Sequence, residues 1–280
     1  KNLNLISNCN TQQSNLLAAV GAVARIEVGF SGLEVYGFAN GLKRAVESGK
    51  TILEDYSNGA IPLRLLGGAM NWPFVPATIC IGNDQQWCCA DKPDEYPSKS
   101  KIPEITDPFT GKKYGAFSVL KPDVASIHVT MADIYGNAIM LGTEWSRYEL
   151  SRAAKKVVLQ ADFIVDTDCI RQYPNLVRIP AEVVDAVVYA PMGVWPACSV
   201  GVYDSDEEHM KEMNKALKTP EDTEAYVKQY VLSYNSREEY LAMIGKEKIE
   251  KLCNNPTTHL MDPYRKWIKS EAEIKELEGR

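Results

Sequence analysis

The chain has 280 residues, 45% of them apolar and 24% charged, with a formal net charge of −6. A chain this long buries roughly 70–75% of its extended surface on folding and needs no disulfide or metal staple. It has no collagen-like bias and no apolar run of ~18 residues for a membrane span, and its acidic balance argues against a nucleic-acid surface or a lipid-held helix; a cytoplasmic protein acting on small molecules remains.

In chain order, Leu3 to Ser7 reads as a strand and Ser14 to Val23 as a helix. Arg25 to Phe30 is a strand, and Phe38 to Glu47 a helix ended by Gly49. Thr51 to Asp55 is a strand, Asn58 to Met70 a helix and Pro76 to Ile81 a further strand. Such alternation implies right-handed crossovers and a mainly parallel sheet. Residues 82 to 116, with Pro93, Pro97, Pro103 and Pro108, form a long aperiodic loop. Strands resume at Phe117 to Leu120 and Val124 to Thr130, and Asp133-Ile134-Tyr135-Gly136-Asn137 turns the chain into Ala138 to Leu141 as a hairpin. Glu144 to Ala154 is a helix; Lys156 to Gln160 and Val183 to Tyr189 are strands. The expected class is α/β, an open, mainly parallel but mixed sheet flanked by helices. Residues 1–205 form this body, and 206–280 a charged helical extension. Within the extension, Thr219-Pro220-Glu221-Asp222 starts one helix and the capping box Ser236-Arg237-Glu238-Glu239 another.

Lys1 leads directly into the first strand, so a segment upstream is expected. Seven cysteines (Cys9, Cys80, Cys88, Cys89, Cys169, Cys198 and Cys253) lack zinc spacing and fit a reducing compartment; Cys80 reads as a buried thiol and no metal is expected. Nucleophile-elbow, phosphate-loop, zincin and strand-coupled G-x-G-x-x-G signatures do not occur.

Position then carries the chemistry, because ligands of parallel sheets bind beyond the carboxyl ends of the strands. Three such ends hold small polar residues: Ser7-Asn8-Cys9-Asn10, Gly29-Phe30-Ser31-Gly32 and Tyr56-Ser57-Asn58-Gly59. Asn and Ser donate to a carbonyl or carboxylate without charge, and glycine admits close backbone approach; the same residues also serve as helix caps. Asn8, Ser31, Ser57 and Asn58 are therefore candidates for a substrate pocket. No carboxylate stands there as an evident nucleophile, a pattern that suits a subunit whose partner brings the reactive group. His128, inside a strand, reads as a satisfied core histidine.

Further residues resemble a known family. Ser48-Gly49-Lys50-Thr51 through Glu54-Asp55-Tyr56-Ser57, Gly67-Gly68-Ala69 and Trp72-Pro73-Phe74-Val75-Pro76 are similar to the α subunit of class I coenzyme A transferases, glutaconate type. So are Lys121-Pro122-Asp123 through His128, Val184-Asp185-Ala186-Val187-Val188 and Gly201-Val202-Tyr203-Asp204. The resemblance implies an α/β heteromer, a tetramer or larger, that moves CoA between carboxylic acids through a glutamyl-CoA thioester. The attacking glutamate lies in the β subunit, so no catalytic residue is expected in this chain. Coenzyme A thioesters are substrates and no cofactor is permanently bound. The resemblance places Asn8 and Asn58 near the acyl group, with Ser31 beside them, as neutral oxyanion donors. Glutamine is usual where Asn58 stands. Gly67, Gly68 and Trp195 would shape the pocket, Trp195 replacing the histidine of an Ala-His-Pro pattern. The family's early Gly-Gly segment would precede Lys1. A neighbouring branch of ring-opening hydrolases carries a glutamate at the position of Asn58; its absence ranks transferase above hydrolase. A subunit that binds acyl-CoA without catalysis is the remaining alternative.

Overall fold

The computed structural model describes residues 2–10, 12–88 and 100–277. Cys89, Pro93 and Pro97 lie outside them. The chain divides into two compact units, residues 1–122 with 211–229, and 123–210 with 230–280.

Parallel pairing organises the first unit. Strand β1 (Leu3–Asn10) leads through helix α1 (Gln12–Ala19) to β2 (Val23–Ser31), and β2 through α2 (Asn40–Glu47) to β3 (Ile52–Asp55). The strands lie in the order β1-β2-β3, all parallel, as the strand–helix alternation predicts. On β2, Ile26 and Val28 are buried, and so are Ile61 and Leu65 of α3 (Ala60–Ala69), which follows β3. Alternate β2 positions, Arg25 and Glu27, are only partly buried, the period-2 pattern of a strand.

The next strand departs from expectation. In place of a parallel strand over Pro76 to Ile81, β4 covers Val75–Ala77, and Cys80 closes the run in a turn at φ +62. After α4 (Asp84–Trp87) come β5 (Glu104–Thr106) and β6 (Lys113–Phe117); β4 and β5 both pair antiparallel with β6 in a separate sheet. A short apolar run fits a buried turn as well as a buried strand, and Cys80 is indeed buried.

The second unit is built on a mixed sheet. Its strands are β7 (Val124–Ala132), β8 (Ala138–Ile139), β9 (Lys156–Ile164), β10 (Val177–Ile179) and β11 (Ala186–Tyr189), with α5 (Arg147–Ala153) and α6 (Thr167–Gln172) between them. The order is β10-β8-β7-β9-β11, with β7, β9 and β11 parallel and β8 turned back on β7. Asp133 makes that hairpin: its buried carboxylate accepts the N–H groups of Tyr135 (3.0 Å) and Asn137 (2.9 Å) and the Asn137 amide (3.0 Å). Ile127, Val129, Val157, Leu159 and Ala161 form the centre of the core.

Helices α7 (Glu207–Ala216), α8 (Pro220–Tyr230), α9 (Arg237–Ile244), α10 (Lys246–Cys253) and α11 (Glu271–Leu277) follow. Both sequence-read starts are real caps: Thr219 Oγ1 accepts from Asp222 N–H, and Ser236 Oγ from Glu239 N–H, each at 3.1 Å. In the first unit Asn214 of α7 ties the loop after β2. Its Oδ1 accepts from Asn40 N–H (3.1 Å) and Asn15 Nδ2 (3.4 Å), and its Nδ2 donates to the carbonyls of Tyr36 (3.1 Å) and Phe38 (3.0 Å). Among the described residues no helix is long and apolar enough to cross a membrane.

Gly67 sits in α3 where an added Cβ would lie 2.5 Å from Val75 Cγ2 and 2.8 Å from Val119 Cγ1. Gly67→Val should cost about 2–3 kcal/mol through overpacking, read as a lower urea midpoint with unchanged slope; an unshifted midpoint would show that the helix has room to move.

Candidate functional site

The carboxyl ends of β1 and β3 lie on either side of β2, strands about 9–10 Å apart at normal sheet spacing. Their polar side chains nevertheless meet, because Gly29 of β2 has no side chain. A Cβ built there would lie 2.7 Å from Asn58 Cα, 2.8 Å from Asn58 N and 2.5 Å from its Oδ1. The turn after β3 therefore rests on the backbone of the middle strand. Asn58, exposed, reaches Cys9 at the end of β1: Cys9 Sγ stands 3.7 Å from Asn58 Oδ1, and Asn8 Nδ2 3.9 Å from Cys9 Sγ.

Asn8 is buried, and its Oδ1 has no partner among the described residues; Ser31 Oγ, on the end of β2, is also enclosed without one there. Enclosed polar atoms without partners cost stability and ask for a hydrogen-bonding ligand. Ser57 has a structural task, since its Oγ accepts the Ala60 N–H at 3.2 Å at the start of α3. Gly67 and Gly68 are buried in α3 itself. Trp195 belongs to the second unit. There its ring stacks on His209 at 4.0 Å, and its Nε1–H donates to Asp206 at 3.1 Å. His128 is held in the same unit by Asp162 at 2.8 Å, and Ser199 donates to the same carboxylate oxygen at 2.6 Å.

Sequence reading did not single out the charged layer beneath the strand ends. Glu54, almost fully buried, takes Arg25 on one oxygen (2.9 Å) and Lys101 on the other (2.7 Å). Lys101 also donates to the Asp55 carbonyl at 2.6 Å, while Gln85 donates to the Asp55 carboxylate at 2.8 Å. Arg64 joins Glu27 at 2.8 Å and the Ser118 carbonyl at 2.8 Å. Tyr56 lies against both cations, with Arg64 at 4.1 Å and Lys101 at 4.4 Å from its ring centroid. Burial, with help from Glu27 and Glu54 against the pull of Arg64 and Arg25, lifts the Tyr56 phenol to about 12. Glu54 and Asp55, the acids that end β3, are thus committed to structural partners. Cys9 is kept as a neutral thiol, its pKa raised first by burial and then by the charge of Glu34. The described residues hold no cluster of three or more His, Cys, Asp or Glu able to bind a metal.

The model of a family described as "Coenzyme A transferase" matches residues 1–190 of this chain. The chain belongs to the coenzyme A transferase family. It is 32% identical over 213 residues to the A-type subunit of glutaconate CoA-transferase from Acidaminococcus fermentans, covering 74% of this chain and 66% of that one. It is 36% identical over 255 residues to an uncharacterized protein of Archaeoglobus fulgidus, covering 90% of this chain and 55% of that protein. This chain therefore spans between half and two-thirds of these two relatives. The fold is similar to the crystal structure of the Acidaminococcus glutaconate coenzyme A-transferase, with a TM-score of 0.84 and 26% identity, covering 98% of this chain and 86% of that one. The open α/β architecture expected from the sequence is that of this family.

Lys101→Met removes one counter-charge from the buried Glu54 carboxylate. The expected loss is about 3–5 kcal/mol, read from urea unfolding; a variant as stable as the parent would mean that the other partners of Glu54 suffice for it.

Proposed function

We propose that the chain is the α-type subunit of a heteromeric CoA-transferase that moves CoA from an acyl-CoA to a carboxylic acid, with the attacking glutamate supplied by a β subunit. One observation carries this: at the strand ends, Ser31 offers an enclosed hydroxyl without a partner among the described residues, beside the exposed Asn58 amide and an enclosed Asn8 acceptor, while Glu54 and Asp55 are already engaged. Such a surface is suited to polarising an acyl group rather than to attacking it. The similarity to a glutaconate CoA-transferase supports the same conclusion.

In the cycle proposed, the partner's carboxylate adds to the thioester carbonyl and the carbonyl oxygen becomes an oxyanion. Neutral N–H and O–H groups of Asn58 and Ser31 donate to that oxygen. The tetrahedral species collapses to an anhydride with loss of CoA thiolate. The thiolate then attacks the glutamyl carbonyl of the anhydride, releasing the first acid and leaving a glutamyl-CoA thioester. A second carboxylate reverses both steps. Asn8 is assigned to the acyl pocket. Gly67 and Gly68 are assigned to its shape, Ser57 to the turn that presents Asn58, and residues 206–280 to a helical extension. Coenzyme A enters only as substrate, and the assembly is an αβ heterotetramer or larger. Six cysteines without disulfides among the described residues suit a cytoplasmic setting.

The test is co-expression with the product of a neighbouring gene that carries a strand-end glutamate, followed by an acyl-CoA panel with and without carboxylate acceptors. Transfer that requires an acceptor is expected; release of free CoA without one would indicate a hydrolase, and a covalent adduct on a carboxylate of this chain would overturn the assignment. In the assembled enzyme Asn58→Ala should lower kcat by about 10²-fold, the loss typical of one oxyanion donor, with assembly intact by size-exclusion chromatography.

A further inference from the structure

We propose that Cys9 is a positioning residue which fixes the direction in which the Asn58 carboxamide presents its donors; this rests on the transferase function proposed above. The thiol stands between two amides. It accepts from Asn8 Nδ2 at 3.9 Å and donates to Asn58 Oδ1 at 3.7 Å. A carboxamide has one accepting and one donating end of nearly equal size. Occupying Oδ1 turns the Nδ2 hydrogens of the exposed Asn58 away from the sheet.

The run Asn8–Cys9–Asn58 is a chain of polar groups in which each bond polarises the next and sharpens the terminal N–H donor. Two further features support it. Asn8 is more than nine-tenths buried, and its Oδ1 has no partner among the described residues, so the far end of the chain is open to a hydrogen-bond donor of a ligand. Gly29 fixes the Asn58 backbone from below, leaving the side-chain torsions as its remaining freedom. The thiol can donate only while protonated, and burial with the nearby Glu34 charge keeps it so through neutral pH. Serine preserves the donor; alanine removes it.

The experiment uses the co-expressed complex with Cys9→Ala, Cys9→Ser, Asn58→Ala and the double variant. Cys9→Ala should lower kcat by about 3- to 10-fold, the range of one lost hydrogen bond, with KM for acyl-CoA nearly unchanged. Cys9→Ser should keep more of kcat than Cys9→Ala, since its hydroxyl, a stronger donor on a shorter bond, can still donate once the exposed Asn58 amide turns to meet it. In the Asn58→Ala background, Cys9→Ala should have no further effect. A wild-type kcat in Cys9→Ala, or an equal loss with Asn58 already removed, would overturn the proposal.

A second readout needs no turnover. Iodoacetamide labelling of Cys9, followed by peptide mass spectrometry, should still be rising above pH 9 and should quicken in Asn58→Ala, where the acceptor is gone. If the wild-type complex transfers no CoA yet labelling behaves this way, the transferase function fails while the Cys9–Asn58 contact stands. Labelling that is complete by pH 8 and indifferent to Asn58 would remove the contact itself.

Discussion

A missing side chain governs the candidate site. In a parallel sheet the middle strand keeps its neighbours apart, and at most levels its own side chains fill the gap. At Gly29 there is nothing to fill it, so the backbone of the β3–α3 turn settles onto β2 and the ends of β1 and β3 come within hydrogen-bond reach. The atoms an added carbon would strike include the Cα and N of Asn58, which cannot swing aside as a flexible side-chain tip can. The two amides of the site, Asn8 and Asn58, are therefore contributed from either side, with the central strand acting as a floor and adding Ser31 at its own end.

Below that floor lies a layer of paired charges. Buried carboxylates are tolerated only where cations and hydrogen bonds replace water. Glu54 meets both conditions through Arg25 and Lys101, and Lys101 extends the support to the main chain by binding the Asp55 carbonyl. Three residues later comes Asn58. The ion pairs and the amide thus share one short stretch of backbone, so electrostatics that contributes little net folding energy still fixes where the polar surface stands.

What the sequence disclosed was local. Alternating strands and helices, Asp133 at the hairpin, the Ser236 cap and the small polar residues at Asn8, Ser31 and Asn58 all follow from patterns only a few residues long. Missed were features whose partners are distant in sequence. Lys101 and Glu54 are 47 positions apart, and no local pattern links them. Cys9 adjoins a chosen asparagine, yet cysteine most often reads as core. Gly29 was noted only as a member of a polar strand end, because its importance depends on a backbone passing over it. The error at Pro76 to Ile81 is of another kind: an apolar run reports burial, and burial does not distinguish a parallel strand from a short antiparallel one followed by a turn.

Asn214 gives the molecule a peculiar birth order. The carbonyl of Tyr36 waits for an amide 178 positions downstream. At translation speeds of about 5–20 residues per second, that is an interval of roughly 9 to 36 seconds. During synthesis the three parallel strands can associate long before the loop beyond β2 acquires its tether. The amino-terminal half of this polypeptide is thus made early and finished late, and nascent-chain chaperones would meet it with that loop still unfastened.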